Sequence, residues 1–180
     1  MAGILIDPIV PAYLPQPSYP GFMRRSQLSP AACRVADTLI SRGHHGVLVS
    51  RPAAAPTPAE AARALGVDVG AVLESQVFLL DDDPVLLLVS GVHRVDLDQT
   101  GKRLDGTLSP APTEMVREVT GQPADGVAPV GHPCNLPTWV DTALARHREV
   151  WAAGGHPNTL FRTSFRELMR ITAGLPIEVE

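Results

Sequence analysis

A chain of 180 residues with 44 % hydrophobic content has the size of one domain with a sizeable core. Its formal net charge of −4 excludes the broad basic field of a general nucleic-acid binder, so DNA is not an expected partner and any RNA contact rests on a local patch. Cys33 and Cys134 stand far apart without metal-ligand spacing, which implies neither a disulfide framework nor a zinc site and fits a reduced, cytoplasmic protein.

The first 25 residues carry prolines at 8, 11, 15, 17 and 20 among Tyr13, Tyr19 and Phe22, a composition that opposes helix and central strand alike. They read as an extended extension (1–25) ahead of one domain (26–180), with aromatics free to pack on the domain or to form a homodimer. The opening has no basic region before an apolar run, so it is not a signal peptide, and no segment is long and apolar enough for a membrane span.

Ser29-Pro30 supplies an N-cap and a first-turn proline for a helix over 30–42, with Gly43 as its stop. His44-His45 read as a polar helix exit, Val47 to Ser50 as a short strand, and 52–56 as a linker. Thr57-Pro-Ala-Glu60 is a capping box opening a helix that Gly66 closes. Val72 to Leu80 and Val85 to Ser90 form a hairpin across Asp81-Asp-Asp-Pro84, whose three acids make a solvated turn rather than a metal site. Lys102, the only lysine, lies in a solvated helix end or loop. A short helix spans 113–120, strands are expected at 137–140 and 159–162, a last helix ends at Gly174, and Ile177 to Val179 make an edge strand. Short strands interleaved with short helices, without βαβ regularity, indicate an α+β fold.

Chemistry-bearing residues gather after the hairpin. Gly126-Val-Ala-Pro129-Val-Gly131 can turn N–H groups toward a ligand, although such spacing also makes an ordinary turn. His132 could donate to a substrate or bond to the loop backbone, and Asp141 could orient a substrate, cap a helix at Thr142, or do both. His132 and Cys134 are too close in an extended loop for a Cys–His pair, and no Gly-x-Ser-x-Gly motif occurs. Arg24, Arg25, Arg34, Arg42 and Arg51 could line an RNA-facing strip or simply be solvated, while Trp139 and Trp151 read as core.

Taken in order, the Thr57 to Gly66 helix, Val77 to Leu80 with Val85 to Gly91, Thr120-Gly121 through Gly126 to His132, Leu136 to Asp141 and Trp151 to Asn158 resemble the YbaK/ProX-type aminoacyl-tRNA deacylases. The resemblance implies a mixed, mostly antiparallel sheet curled into a partial barrel with helices outside. It also implies a cytoplasmic trans-editing hydrolase that meets the 3′ end of aminoacyl-tRNA transiently, with no metal or organic cofactor and no membrane partner. Its site would comprise Gly126, Gly131, His132 and Asp141 as catalytic residues and Ser90, Gly91, Pro129 and Asn158 as substrate contacts.

One position departs from the family: a lysine opens its first hairpin strand, in a Lys-Ser-Leu-Val-Phe type sequence, and this chain reads Glu74-Ser-Gln-Val-Phe78. Two unit charges ~6 Å apart at an effective dielectric of ~20 interact by roughly 3 kcal/mol, so reversing the sign shifts the local field by about twice that before screening. Glu74 could attract an α-ammonium, serve as a general base, or face solvent in a degenerate site. A binding module that keeps the fold without catalysis, or a hydrolase of another small ester, therefore stands beside the deacylase.

Overall fold

A computed structural model of the protein describes residues 21–50 and 57–180. Most of the proline-rich extension, Arg51 and the 52–56 linker lie outside those residues. The final residues of the extension are tied to the domain: Phe22 bridges to Val49, and Met23 N–H donates to Leu48 O at 3.1 Å.

Local signals explain the helices. In α1 (Pro30–Ser41), Ser29 accepts from the Ala32 N–H, and Ala32, Val35, Ala36 and Leu39 form the buried stripe that a 3.6-residue period dictates. The α2 helix (Pro58–Leu65) opens on the Thr57–Glu60 capping box and closes on Gly66 at φ 70°. A third helix, α3 (Leu97–Arg103), is capped by Asp96 and holds Lys102 in its exposed last turn. Gly121, at φ 63°, ends α4 (Thr113–Thr120), and Ser164 caps α5 (Phe165–Thr172). That last helix stops at Ala173, itself left-handed at φ 52°, one residue before the expected glycine.

Two sheets replace the single sheet expected. One orders β1 (Val49–Ser50), β7 (Thr159–Thr163) and β6 (Val150–Ala153). The other runs β4 (Leu108–Pro110), β2 (Leu73–Leu80), β3 (Asp83–Ser90), β5 (Thr138–Asp141) and β8 (Leu175–Ile177). Pairing is mostly antiparallel, with β3–β5 and β5–β8 parallel. A lone bridge between Val72 and Trp151 links the two sheets.

The β2–β3 hairpin turns through Asp81 and Asp82, both at positive φ (48° and 75°), as a two-residue turn matched to strand twist requires. Leu80 and Asp83 close the turn as the hydrogen-bonded pair, so Leu79 and Pro84 face each other without ladder bonds, and the proline is tolerated inside β3. Strand alternation sends Leu73, Val77, Leu86 and Leu88 to a core shared with α1, α5 and Phe161. Phe78, Val85, Leu87 and Val89 go to a second core with Leu108, Ile177 and Val179. Covered on both faces, β3 reads as an unbroken apolar run.

His44 corrects the expected polar helix exit: it is only 4 % exposed. Its ring meets Phe161 edge-on with centroids 5.5 Å apart, Nδ1 accepts from the Gly46 N–H at 3.0 Å, and Nε2 lies 3.0 Å from Arg162 O. Those partners require the neutral tautomer protonated on Nε2.

Candidate active site

β4 covers only Phe78–Leu80 of β2, so the first half of β2 keeps an edge without a strand on that side. A cleft of ≈ 230 Å³ lies along this edge, lined by Glu74, Ser75 and Gln76. Pro58 and Ala61 of α2, Ala153 and Leu160 of the smaller sheet, and Ala124, Asp125 and Val127 of the following loop complete its walls. The hairpin register turns the Ser75 N–H and C=O away from β3 toward this edge; Val77, in the same orientation, accepts there from the Ala111 N–H. Gln76 Nε2 donates to Glu74 Oε2 at 3.2 Å. Ser75 Oγ is shut from solvent and has no hydrogen-bond partner. Among the described residues, Glu74 and Asp125 are the only charged side chains that line the cleft.

The loop from 122 to 131 is held from beneath by Gln122, a side chain the sequence reading missed. Its Nε2 donates to Val130 O at 3.0 Å and its Oε1 accepts from the Ala128 N–H at 2.7 Å, with the residue 2 % exposed. The Gly126 N–H closes a turn on Pro123 O at 2.9 Å. Between these two used donors, the Val127 N–H enters no described hydrogen bond, and Val127 lines the cleft. A Cβ on Gly126 would lie 2.5 Å from the His156 carbonyl carbon and 2.6 Å from the Pro157 nitrogen, so the loop and the β6–β7 turn touch through backbone. Asn158 belongs to that turn and is exposed; its N–H donates to His156 Nδ1 at 3.1 Å.

Pro129, Gly131 and His132 lie together under the loop, around a smaller pocket that includes Arg42, rather than on the cleft. Gly131 adopts φ 84°, and a Cβ there would meet the Val35 backbone at 3.0 Å. His132 Nε2 sits 2.8 Å from Ala128 O, which accepts a hydrogen bond from its N–H, so the ring buttresses the loop.

Ser90, Gly91 and Asp141 form a separate group behind the cleft. Asp141 is 1 % exposed; Oδ2 accepts from the Ser90 N–H at 3.0 Å and Oδ1 from the Ala143 N–H at 2.9 Å. His93 Nδ1 approaches Oδ2 to 2.9 Å without the alignment of a hydrogen bond. Ser90 Oγ donates to Gly70 O at 2.9 Å. A Cβ on Gly91 would press at 2.8 Å on Pro58, which lines the cleft, so this group sets the position of one wall. Asp141 does cap the turn Thr142–Arg146, as the sequence suggested.

Of the five arginines that could line a strip or be solvated, three make structural contacts. Arg25 pairs twice with Asp37, at 2.5 and 2.8 Å, Arg34 donates to Gly121 O at 2.8 Å, and Arg42 donates to Ile171 O. Among the described residues no group of His, Cys, Asp and Glu could hold a metal ion, and no helix is long and apolar enough to cross a membrane.

Burial is the leading cause that holds His44, His45 and His132 below the ordinary imidazole value. Below about pH 6.5 the unfolded chain then binds more protons than the folded one, so stability is present above that pH and lost on acidification. The thermal midpoint is expected to fall between pH 7 and pH 5, and less steeply in His132→Gln, which retains an N–H donor for Ala128 O. Asp37 and Asp96, held low by hydrogen bonds to Arg25 and Gln99, act only at more acid pH. A midpoint that stays level or rises from pH 7 to 5 contradicts the assignment.

The model of the family described as aminoacyl-tRNA editing domain matches residues 52–171. A solved structure described as a candidate trans-editing enzyme for prolyl-tRNA synthetase is 42 % identical, with a TM-score of 0.80 over 85 % of this chain and 98 % of that one. Another, from work on epitope backbone grafting onto scaffold proteins, is 40 % identical with a TM-score of 0.80, covering 85 % of this chain and 99 % of that one. A third, solved as a hypothetical protein, is 28 % identical with a TM-score of 0.75, covering 81 % and 98 %. No curated protein matches. With two sheets and five α-helices among its described residues and a cleft walled by β2 and the 122–131 loop, this chain belongs to the aminoacyl-tRNA editing domain family.

Proposed function

We propose that the protein is a trans-editing hydrolase that removes the amino acid from mischarged aminoacyl-tRNA, with the ester bound at the open edge of β2. The observation that carries this reading is the cleft itself, in which strand backbone and loop backbone face the same small volume. An editing site is needed where a synthetase pocket cannot reject a near-isostere by a sufficient factor. Its substrate is an activated ester, so hydrolysis requires a positioned water and donors for the developing oxyanion rather than a nucleophilic side chain.

The Ser75 and Val127 N–H groups are the donors placed for that charge. Water adds to the ester carbonyl, the tetrahedral intermediate collapses, and the 3′ oxygen of the tRNA leaves with a proton. Gly126 lets the loop approach the β6–β7 turn, and Gln122, Gly131 and His132 hold it there as positioning residues. Asp141, through Ser90 and Gly91, positions the wall at Pro58. Asn158 and the exposed end of the loop face the tRNA. The described 42 % identical relative makes tRNAs charged by prolyl-tRNA synthetase the first substrates to try.

A second reading, a binding module without turnover, is favoured by one observation: Glu74 stands where the resembling deacylases carry lysine. Hydrolysis of a panel of mischarged aminoacyl-tRNAs by wild type and Glu74→Lys separates them. Wild-type turnover is expected; turnover by Glu74→Lys alone means a degenerate site restored by one charge. Silence from both, with both proteins folded, supports the binding module.

A further inference from the structure

We infer that the cleft reads the free α-ammonium of an aminoacyl group, through Glu74 and Asp125, and discriminates against aminoacyl ends whose nitrogen is acylated or absent. The inference deepens the editing reading and rests on it for the aminoacyl class. Its ground is the charge of the lining among the described residues: two carboxylates, from β2 and from the opposing loop, and no cationic side chain. Both carboxylates repel a phosphate brought into this space, whereas an ammonium meets two carboxylates from different elements.

Size points the same way. At ≈ 230 Å³ the cleft is smaller than the ~300–1,000 Å³ usual for drug-sized ligands, so it takes the aminoacyl end and leaves most of the nucleotide outside. A divalent cation is a poor alternative occupant, because among the described residues no third ligating side chain joins the pair. Among the described residues no protein cation pairs with Glu74: its described partner is the neutral amide of Gln76, at 3.2 Å.

The test uses stable amide-linked analogues, 3′-(L-alanylamino)-3′-deoxyadenosine and its N-acetyl and propionyl counterparts, titrated by calorimetry or NMR into wild type, Glu74→Gln and Asp125→Asn. Wild type is expected to bind the ammonium compound at least ~10-fold more tightly than the other two, about 1.4 kcal/mol. Each substitution is expected to shrink that preference while leaving the affinity for the N-acetyl compound nearly unchanged. Both side chains are partly or fully exposed, so the variants should fold, and their thermal midpoints check this. Equal affinity for the three compounds, no binding of any, or a preference that survives both substitutions overturns the inference. Preference without turnover of any mischarged tRNA overturns the editing reading and leaves ammonium recognition standing; turnover without preference does the reverse.

Discussion

Asp141→Ala is expected to lower the stability of the folded domain by about 3 kcal/mol, because two buried N–H donors lose their acceptor at ~1–3 kcal/mol each. The donors are those of Ser90 and Ala143, at 3.0 and 2.9 Å, in surroundings where the carboxylate is 1 % exposed. For a domain of this length the thermal midpoint should fall by roughly 6–12 °C. Asp141→Asn keeps one carbonyl acceptor and should lose less. Urea unfolding of the wild type and both variants reads the effect directly. If Asp141 instead acted on substrate alone, Asp141→Ala would abolish turnover with no change in the midpoint, and that outcome rejects the buried-acceptor role. The expected result is loss of both, with turnover recovering in Asp141→Asn as stability does.

This residue also shows what could be read from the sequence and what could not. The reading of Asp141 as the cap of the Thr142 turn was local, and local signals held elsewhere: the Ser29 and Thr57 caps and the Gly66 stop all lie within a few residues of what they control. Its bond to Ser90 joins residues far apart in the chain, set by the parallel β3–β5 register, and no spacing announces it. The same reason hid the second sheet, since β6 is fixed by pairing with β7 and by the Val72–Trp151 bridge. His44 looked polar because its neighbours in sequence are polar; Phe161 and the Arg162 carbonyl, which bury it, arrive from β7.

The candidate site was legible in part for the same reason. The Gly126 loop and Glu74 do face one cleft, directly or through their neighbours, whereas His132 and Asp141 support it from behind. Asp125 and Gln122 carry no motif of their own. Asp125 matters because the loop brings it opposite β2, and Gln122 because the loop closes over its amide.

Gly126→Ala should produce the largest functional loss of any single methyl group added near the cleft. The added carbon would lie 2.5 Å from the His156 carbonyl carbon and 2.6 Å from the Pro157 nitrogen, both backbone atoms that cannot swing aside as a side chain can. Overpacking of this kind costs ~1–3 kcal/mol. The loop must retreat from the β6–β7 turn, carrying the Val127 N–H and Asp125 away from β2. A displacement of about 1 Å in a positioned group lowers turnover by on the order of 100-fold. Gly66→Ala is the matched control, because nothing lies within 4 Å of its Cβ position and its strain comes from φ 70° alone. That control should cost ~1–2 kcal/mol of left-handed strain and leave turnover of the folded fraction intact. Equal turnover by both variants at equal folded fraction would show that the approach of the loop to the turn has no part in catalysis, and with it the Val127 donor would fall.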